Sequence, residues 1–253
     1  MSFIRIFSRR WGLRDQNCLV GGPVSDPRDE FLSQVVSGKS FADVGGLWGT
    51  VKEKASVAHR YGASALTMID VASPENWQWQ LFEEHRRNLG LPPVNCISGD
   101  LVTLVETSSC PQFDVVHCSG VLYHVPDPVR FMAALRKITR EYLILCSVVT
   151  AKEVQSEKGT LHVPKAAAVF IPALQDQERA ILSSYWEQFV GDQALGITAP
   201  QPSWLLDGDA TRFSPWWWLP TVEALKAICT TAGFRFHKGA HFWNDNTYVM
   251  LLS

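Results

Sequence analysis

The sequence lacks the features that mark several specialised classes of protein. No apolar run reaches the ~18–20 residues that a membrane-spanning helix needs, and the N-terminus has no signal-peptide core. Basic residues do not outnumber acidic ones, with 23 Lys and Arg against 25 Asp and Glu, so the composition shows no general footprint for nucleic acid. These absences predict a cytoplasmic globular protein with no membrane partner.

Cysteine pairs are also missing. The six cysteines are scattered along the chain, and no two of them form a C-x-x-C pair. This pattern is typical of a reduced protein with neither a disulfide framework nor a zinc site. We therefore expect no bound metal. Apolar residues make up 46% of the 253 residues, enough for a large core.

Between residues 41 and 150, apolar strands alternate with helical segments. The predicted strands cover 41–44, 65–69, 94–97, 113–118 and 142–149, and the predicted helices cover 50–61, 73–89 and 127–138. Ser73-Pro74 and Asp127-Pro128 supply a helix cap followed by a proline at the first helical position. The alternation predicts an α/β fold with a doubly wound, mostly parallel sheet.

The flanking regions follow different patterns. Residues 1–40 form an N-terminal arm, and residues 151–220 form a Trp-rich insertion with one amphipathic helix at 175–190 among proline-punctuated loops. Residues 221–253 predict a capped helix ending at Gly233, then strands 234–243 and 247–252 in an antiparallel hairpin. We expect one domain over the whole chain.

The stretch from Phe41 to Gly49 places an acid and three glycines between a strand and a helical segment. Such a loop allows backbone to touch a ligand. Dinucleotide binding needs G-x-G-x-x-G, but Leu47 and Thr50 occupy the second and third glycine positions counted from Gly45. An NAD-dependent oxidoreductase is therefore only a third choice.

The loop instead resembles the D/E-x-G-x-G-x-G loop of the class I S-adenosylmethionine-dependent methyltransferases, with Leu47 in place of the middle glycine. In that family the second strand ends in an acid that binds the ribose, matched by Asp70, and the third ends in an acid near the adenine, matched by Asp100. Residues 121–128 resemble a V-L-Y-H-x-x-D-P element found in small-molecule members and in wobble-uridine-modifying tRNA members. The resemblance covers residues 41–150 and the C-terminal helix and hairpin.

The resemblance implies a Rossmann-like sheet of seven strands and S-adenosyl-L-methionine as cofactor. The residues it assigns to cofactor binding are Asp43, Gly45, Gly46, Leu47, Gly49, Asp70, Val71, Asp100, Leu101, Cys118 and Ser119. Other roles exist for these residue types. Both later acids are also good helix N-caps, and the glycines also suit tight strand–helix packing.

His124 is the candidate general base, because it follows the fourth strand and histidine titrates near neutrality. A structural histidine bonded to backbone is the alternative. Tyr123, Trp204 and Trp216 are the candidate substrate contacts, although buried tryptophans are more often core.

We expect methyl transfer to a small-molecule acceptor, through a hydroxyl group. A tRNA wobble-uridine modifier is the nearest rival, and a non-catalytic cofactor-binding partner subunit is another, because of Leu47. A homodimer is compatible with the sequence.

Overall fold

The computed structural model describes residues 26–49, 53–191 and 216–253. The strands are β1 (Ser40–Val44), β2 (Ala65–Asp70), β3 (Asn95–Ser98), β4 (Phe113–Ser119), β5 (Thr139–Val148), β6 (Glu153–Ser156), β7 (Gly159–His162), β8 (Ala168–Phe170), β9 (Trp218–Pro220), β10 (Phe236–Phe242) and β11 (Thr247–Leu252). The helices are α1 (Pro27–Val35), α2 (Ala55–Arg60), α3 (Trp77–Asn88), α4 (Leu101–Glu106), α5 (Pro128–Ile138), α6 (Asp176–Val190) and α7 (Val222–Thr231). Within these ranges no helix has both the length and the apolar character that crossing a membrane requires.

Seven of the strands form one sheet in the order β10-β11-β5-β4-β1-β2-β3. The five strands from β5 to β3 run parallel, and β11 pairs antiparallel with both β5 and β10. The predicted α/β Rossmann-like sheet is therefore confirmed. Its parallel strands lie between two layers of helices, which explains their continuous apolar runs.

The two faces of the sheet bury separate cores. On one face α4, α5 and α7 pack over the sheet, with Met132 and Leu135 of α5 fully buried. On the other face, Phe31 and Leu32 of α1 pack on Phe41 of β1, and α2 adds further apolar side chains. Helix α7 therefore packs on the same face of the sheet as α4 and α5 and contributes to the same core.

Several element boundaries agree with the sequence and others do not. Helix α5 covers residues 128–138, and Asp127 Oδ1 accepts the Arg130 amide as predicted for its cap. The predicted helix at 50–61 is wrong at its start, since α2 begins only at Ala55. Helix α3 is capped by Asn76 rather than by Ser73, because a turn occupies the residues between them.

Two regions contain more regular structure than the sequence indicated. The N-terminal arm includes α1, whose start repeats the Asp-Pro device in Asp26-Pro27. The insertion contains the β6–β7 hairpin and the antiparallel pair β8–β9, which holds Trp218 against Phe170. Strands β8 and β9 were not predicted because they pair across some fifty residues, whereas the β6–β7 hairpin is local and was missed.

Candidate functional site

The carboxyl ends of the parallel strands form one edge of the sheet. Val44 at the end of β1 lies level with Ile69 of β2 and Cys118 of β4, and Asp70 lies beside Ser98 of β3. Ligands of open α/β sheets bind at this edge. The sequence-predicted site residues on these strands therefore do come together.

The turn after β1 depends on its first two glycines. Gly45 has φ +78°, and its amide donates to Ile69 O at 2.8 Å. A Cβ on Gly45 would lie 2.3 Å from Val121 Cγ2, and one on Gly46 would lie 2.7 Å from Asp43 Oδ2. Both positions thus exclude a side chain, and the chain continues as a single 3-10 turn from Gly46 to Gly49.

Leu47, the departure from the glycine pattern, points into the core. Its residue surface is 2% exposed, and its side chain packs with Met68 and Phe82. Its backbone amide still faces the strand ends and donates to Asp70 Oδ2 at 3.3 Å. The leucine side chain therefore packs in the core, while its amide lies at the strand edge and bonds Asp70.

Asp70 is a buried carboxylate without a cation. It is 3% exposed, and its oxygens accept the amides of Leu47 and Ala72, at 3.3 and 3.0 Å. Burial, with Asp43 as a nearby like charge, raises its pKa above the usual aspartate range. Among the described residues it has no ion-pair partner, and its remaining lone pairs can accept hydroxyl protons.

Asp43 is equally buried, at 1%, but its environment differs. Asp43 Oδ1 lies 2.7 Å from His117 Nδ1, and Oδ2 accepts the Lys54 amide at 2.9 Å. Both oxygens are thus engaged by the chain itself. The geometry assigns Asp43 to fixing the backbone at Lys54, the residue that precedes α2.

The remaining cofactor candidates divide between edge and core. Val71, directly after Asp70, is 67% exposed and offers an apolar surface at the edge. Asp100 caps α4, with Oδ2 accepting the Thr103 amide at 2.8 Å, which is the alternative role foreseen for it. Leu101 and Cys118 are buried in the main core, so they lie behind the edge rather than on it.

The loop after β4 carries the catalytic candidate. Leu122–His124 form a 3-10 turn, and the His124 ring lies 4.1 Å from that of Tyr123 and 6.4 Å from that of Trp216. His124 is partly exposed, whereas burial raises the pKa of Tyr123 above its usual range. Tyr123 therefore stays a protonated phenol at neutral pH, and its hydroxyl lies 3.8 Å from the position of a Cβ on Gly120.

The insertion is fastened to this loop by hydrogen bonds. The Trp217 amide donates to Tyr123 O at 2.8 Å, and Trp218 Nε1 donates to Pro126 O at 3.0 Å. Trp216 lies 5.0 Å from Tyr123 and 4.9 Å from Trp186, centroid to centroid. The insertion thus builds an aromatic wall, defined here as Tyr123, Trp186 and Trp216, beside His124. Trp204, another candidate, lies outside the described residues.

Sequence comparison assigns the central part of the chain. Residues 43–144 match a family model described as a methyltransferase domain. The match begins at Asp43 and ends in β5. It therefore spans the glycine turn and the carboxyl ends of β1, β2, β3 and β4. Residues 43–144 therefore form a methyltransferase domain. Its cofactor is S-adenosylmethionine. Among curated proteins, no sequence matches this chain.

Solved structures share the fold. An S-adenosylmethionine-dependent methyltransferase from Mesorhizobium loti aligns over 89% of this chain and 95% of its own, with TM-score 0.52 and 14% identity. Magnesium protoporphyrin IX methyltransferase from Synechocystis, solved with bound SAH, aligns over 98% and 93%, with TM-score 0.54 and 13% identity. Mitomycin 7-O-methyltransferase aligns over 91% of this chain and 54% of its own, with TM-score 0.52 and 13% identity. At these identities the likeness concerns the fold alone.

The residues of the methyltransferase domain fit its cofactor. S-adenosylmethionine carries a ribose diol, and Asp70 offers a buried carboxylate with spare acceptor capacity at the strand edge. Gly45 and Gly46 keep the neighbouring backbone free of side chains, and exposed Val71 lies next to Asp70. The sequence analysis missed one basic residue at this edge, Arg28, whose Nη1 donates to Ser119 Oγ at the end of β4, at 3.1 Å. The cap-and-proline pattern of Asp26-Pro27 is the signal that marks the start of its helix.

Proposed function

We propose that this methyltransferase domain transfers a methyl group from S-adenosylmethionine to a hydroxyl of a small-molecule acceptor, with His124 as general base. The observation that carries the proposal is the position of a partly exposed His124 in the turn that follows β4, beside the aromatic wall. Small-molecule sites are mostly apolar and aromatic with few polar groups, which is the composition found beside His124.

The cofactor residues hold the donor in place. In this proposal Asp70 accepts the ribose hydroxyl protons, and the Gly45–Gly46 backbone lets the ligand approach the edge. When bound, the cofactor supplies a methyl group activated by its sulfonium. The chain then has to align the acceptor oxygen and remove its proton.

His124 and Tyr123 have different roles toward the acceptor. His124 carries an imidazole, the side chain that most often serves as a general base in enzymes. Tyr123 cannot act as a base, because burial raises its pKa, but its phenol can orient the acceptor oxygen by a hydrogen bond. The wall residue Trp216 limits the space beside both rings.

The alternatives make different demands. A tRNA substrate requires a basic surface for phosphates, and the formal net charge is −2. The similarity to wobble-uridine modifiers stays a prediction that bulk tRNA retention at several salt concentrations tests. The non-catalytic role was considered because Leu47 replaces the middle glycine of the loop. The Leu47 side chain packs in the core, however, and its amide lies at the strand edge.

The test uses the whole chain and a panel of phenols, carboxylic acids and amines, with S-adenosylhomocysteine release as the readout. We expect release with a hydroxyl acceptor, and His124→Ala to lower turnover by about 10²–10⁴-fold with unchanged S-adenosylhomocysteine affinity. His59→Ala, at an exposed histidine of α2, is the matched control.

Equal losses of turnover and affinity in His124→Ala would indicate a structural histidine. Product release with amines alone would overturn O-methylation. No release with any acceptor, together with measurable cofactor binding, would favour the non-catalytic role.

A further inference from the structure

A cleft of about 440 Å³ lies between the start of α7, the strands β10 and β11, and the segment that follows β5. This volume is sufficient for a small organic ligand. In the sheet order β10 lies three strands from β4, a distance of about 14 Å at the usual strand spacing. The cleft is therefore separate from the strand edge at which the cofactor residues meet. Its lining consists of Thr150–Lys152, Thr221–Glu223, Lys226, Gly239–His241 and Tyr248.

Tyr248 presents an unpaired hydroxyl to this cleft. The residue is only 7% exposed, yet it is part of the lining. Its Oη lies over Gly239, where a Cβ would come within 2.6 Å of it, so the absence of a side chain at Gly239 makes room for the hydroxyl. Among the described residues this hydroxyl has no hydrogen-bond partner. Polar groups on buried side chains are normally hydrogen-bonded, which indicates that a ligand in the cleft supplies the missing partner.

The first turn of α7 supplies further donors. Thr221 caps this ten-residue helix, and its Oγ1 accepts the Ala224 amide at 3.3 Å. The amides of Val222 and Glu223, two residues of the lining, have no acceptor within the described ranges. Free amides at the start of a helix carry the positive end of its dipole and favour anions.

Two lysines add positive charge to the cleft. Lys226 Nζ lies 4.5 Å from the ring centroid of Phe236 and 5.2 Å from that of Tyr248. The two rings hold the ammonium beside the Tyr248 side chain. Lys152 is exposed in the segment that follows β5. In the part of the chain that the structure describes, neither lysine has an acidic partner.

The acidic groups near the cleft face other partners. Glu223, the one carboxylate of the described lining, has Oε1 3.8 Å from Lys165 Nζ. Asp245 Oδ1 lies 3.9 Å from His241 Nδ1. The charges of the two lining lysines are therefore left for a ligand. A phosphate monoester carries roughly 1.5–2 negative charges at neutral pH, which matches them.

We propose that this cleft binds a phosphate monoester. Its oxygens accept hydrogen bonds from the Tyr248 hydroxyl, from the first amides of α7 and from the ammonium groups of Lys226 and Lys152. A carboxylate has two oxygens and one charge, and so satisfies fewer of these donors. The site uses no residue assigned to the cofactor or to the methyl acceptor, and it does not depend on the proposed function.

The test is calorimetric titration of the whole chain with phenyl phosphate, and with benzoate as the carboxylate of similar shape. We expect saturable phenyl phosphate binding and at least about tenfold weaker benzoate binding. Lys226→Gln is expected to weaken phenyl phosphate binding about tenfold, because it removes a charged donor, and Lys226→Arg to weaken it less. Tyr248→Phe is expected to weaken it about three- to tenfold through the loss of one hydroxyl.

The controls separate this site from general charge attraction and from the cofactor edge. Lys137→Gln removes an exposed lysine in the last turn of α5 and is expected to leave the affinity unchanged. Excess S-adenosylhomocysteine, or 5′-methylthioadenosine, which lacks its amino-acid end, is expected not to displace phenyl phosphate. Tyr248→Phe keeps the ring that packs in the core, so it tests the site even if Lys226→Gln does not fold.

Four results would overturn the proposal. The first is no saturable phenyl phosphate binding by the unmodified protein, and the second is an unchanged affinity in the Tyr248 and Lys226 variants. The third is an equal loss in Lys137→Gln, or displacement by S-adenosylhomocysteine, since either would assign the binding to another surface. The fourth is benzoate binding as tight as that of phenyl phosphate. Methyl transfer is measured separately by S-adenosylhomocysteine release, so failure of either proposal leaves the other standing.

Discussion

The surroundings of Asp43 and of Asp70 differ, although both lie at the carboxyl ends of adjacent parallel strands and both are almost completely buried. Asp43 is the penultimate residue of β1, and Asp70 is the last residue of β2. The two oxygens of Asp43 are taken by His117 and by the Lys54 amide. The oxygens of Asp70 accept longer hydrogen bonds from the Leu47 and Ala72 amides, and burial raises the pKa of Asp70.

The comparison shows that burial alone does not identify a binding residue. A buried carboxylate whose partners come from the chain holds the fold together. A buried carboxylate that has no cation beside it can still accept hydrogen bonds from a ligand. Groups with pKa values perturbed in this way cluster at functional sites. Three changes test this division between the two aspartates.

The largest expected effect is on cofactor affinity in Asp70→Asn. The amide cannot accept two ribose hydroxyl protons and also bond the Leu47 and Ala72 amides, so S-adenosylhomocysteine binding is expected to weaken on the order of 100-fold. The free energy of unfolding should change little, because relief of carboxylate burial offsets one lost amide bond. Titration calorimetry and denaturant unfolding of the same variant measure both. A large loss of stability with unchanged affinity would reverse the assignment of the two aspartates.

The next effect is on stability in Asp43→Asn. One of the two partners, His117 or the Lys54 amide, loses a charged acceptor in a buried site, which costs about 1–3 kcal/mol of unfolding free energy. Cofactor affinity should stay within about threefold of the unmodified protein. Denaturant unfolding is the measurement, and a variant with full stability but no cofactor binding would contradict the structural role.

The smallest effect is a pH dependence set by Asp70. Its folded-state pKa is raised, so its ionisation destabilises the folded state at neutral pH, and that cost disappears as the pH falls through the raised pKa. Cofactor affinity moves the other way, because the protonated acid accepts fewer hydroxyl protons. We expect methylthioadenosine binding to weaken on acidification at a pH above the ordinary aspartate value of about 3.9. Asp70→Asn should remove this dependence, and the same slope in that variant would assign it to another group.

Local patterns predicted much of the fold. The alternation of apolar strands and capped helices gave the parallel sheet, and the Asp127-Pro128 cap located α5 to the residue. The same device at Asp26-Pro27 begins α1, which the sequence analysis left within an N-terminal arm. The pairing of β8 with β9 was beyond local patterns, since it depends on contacts across the insertion.

The sequence by itself determined the order of the elements and the row of acids and glycines that the strand ends bring together, because strand periodicity and turn chemistry are local properties. Only the tertiary structure decided which acid is free, why Leu47 fits, and that Arg28 reaches the edge. The partners responsible lie far along the chain, with His117 74 positions from Asp43, Asp70 23 from Leu47 and Ser119 91 from Arg28. A carboxylate's role depends on what surrounds it, and distant residues supply those surroundings only after folding.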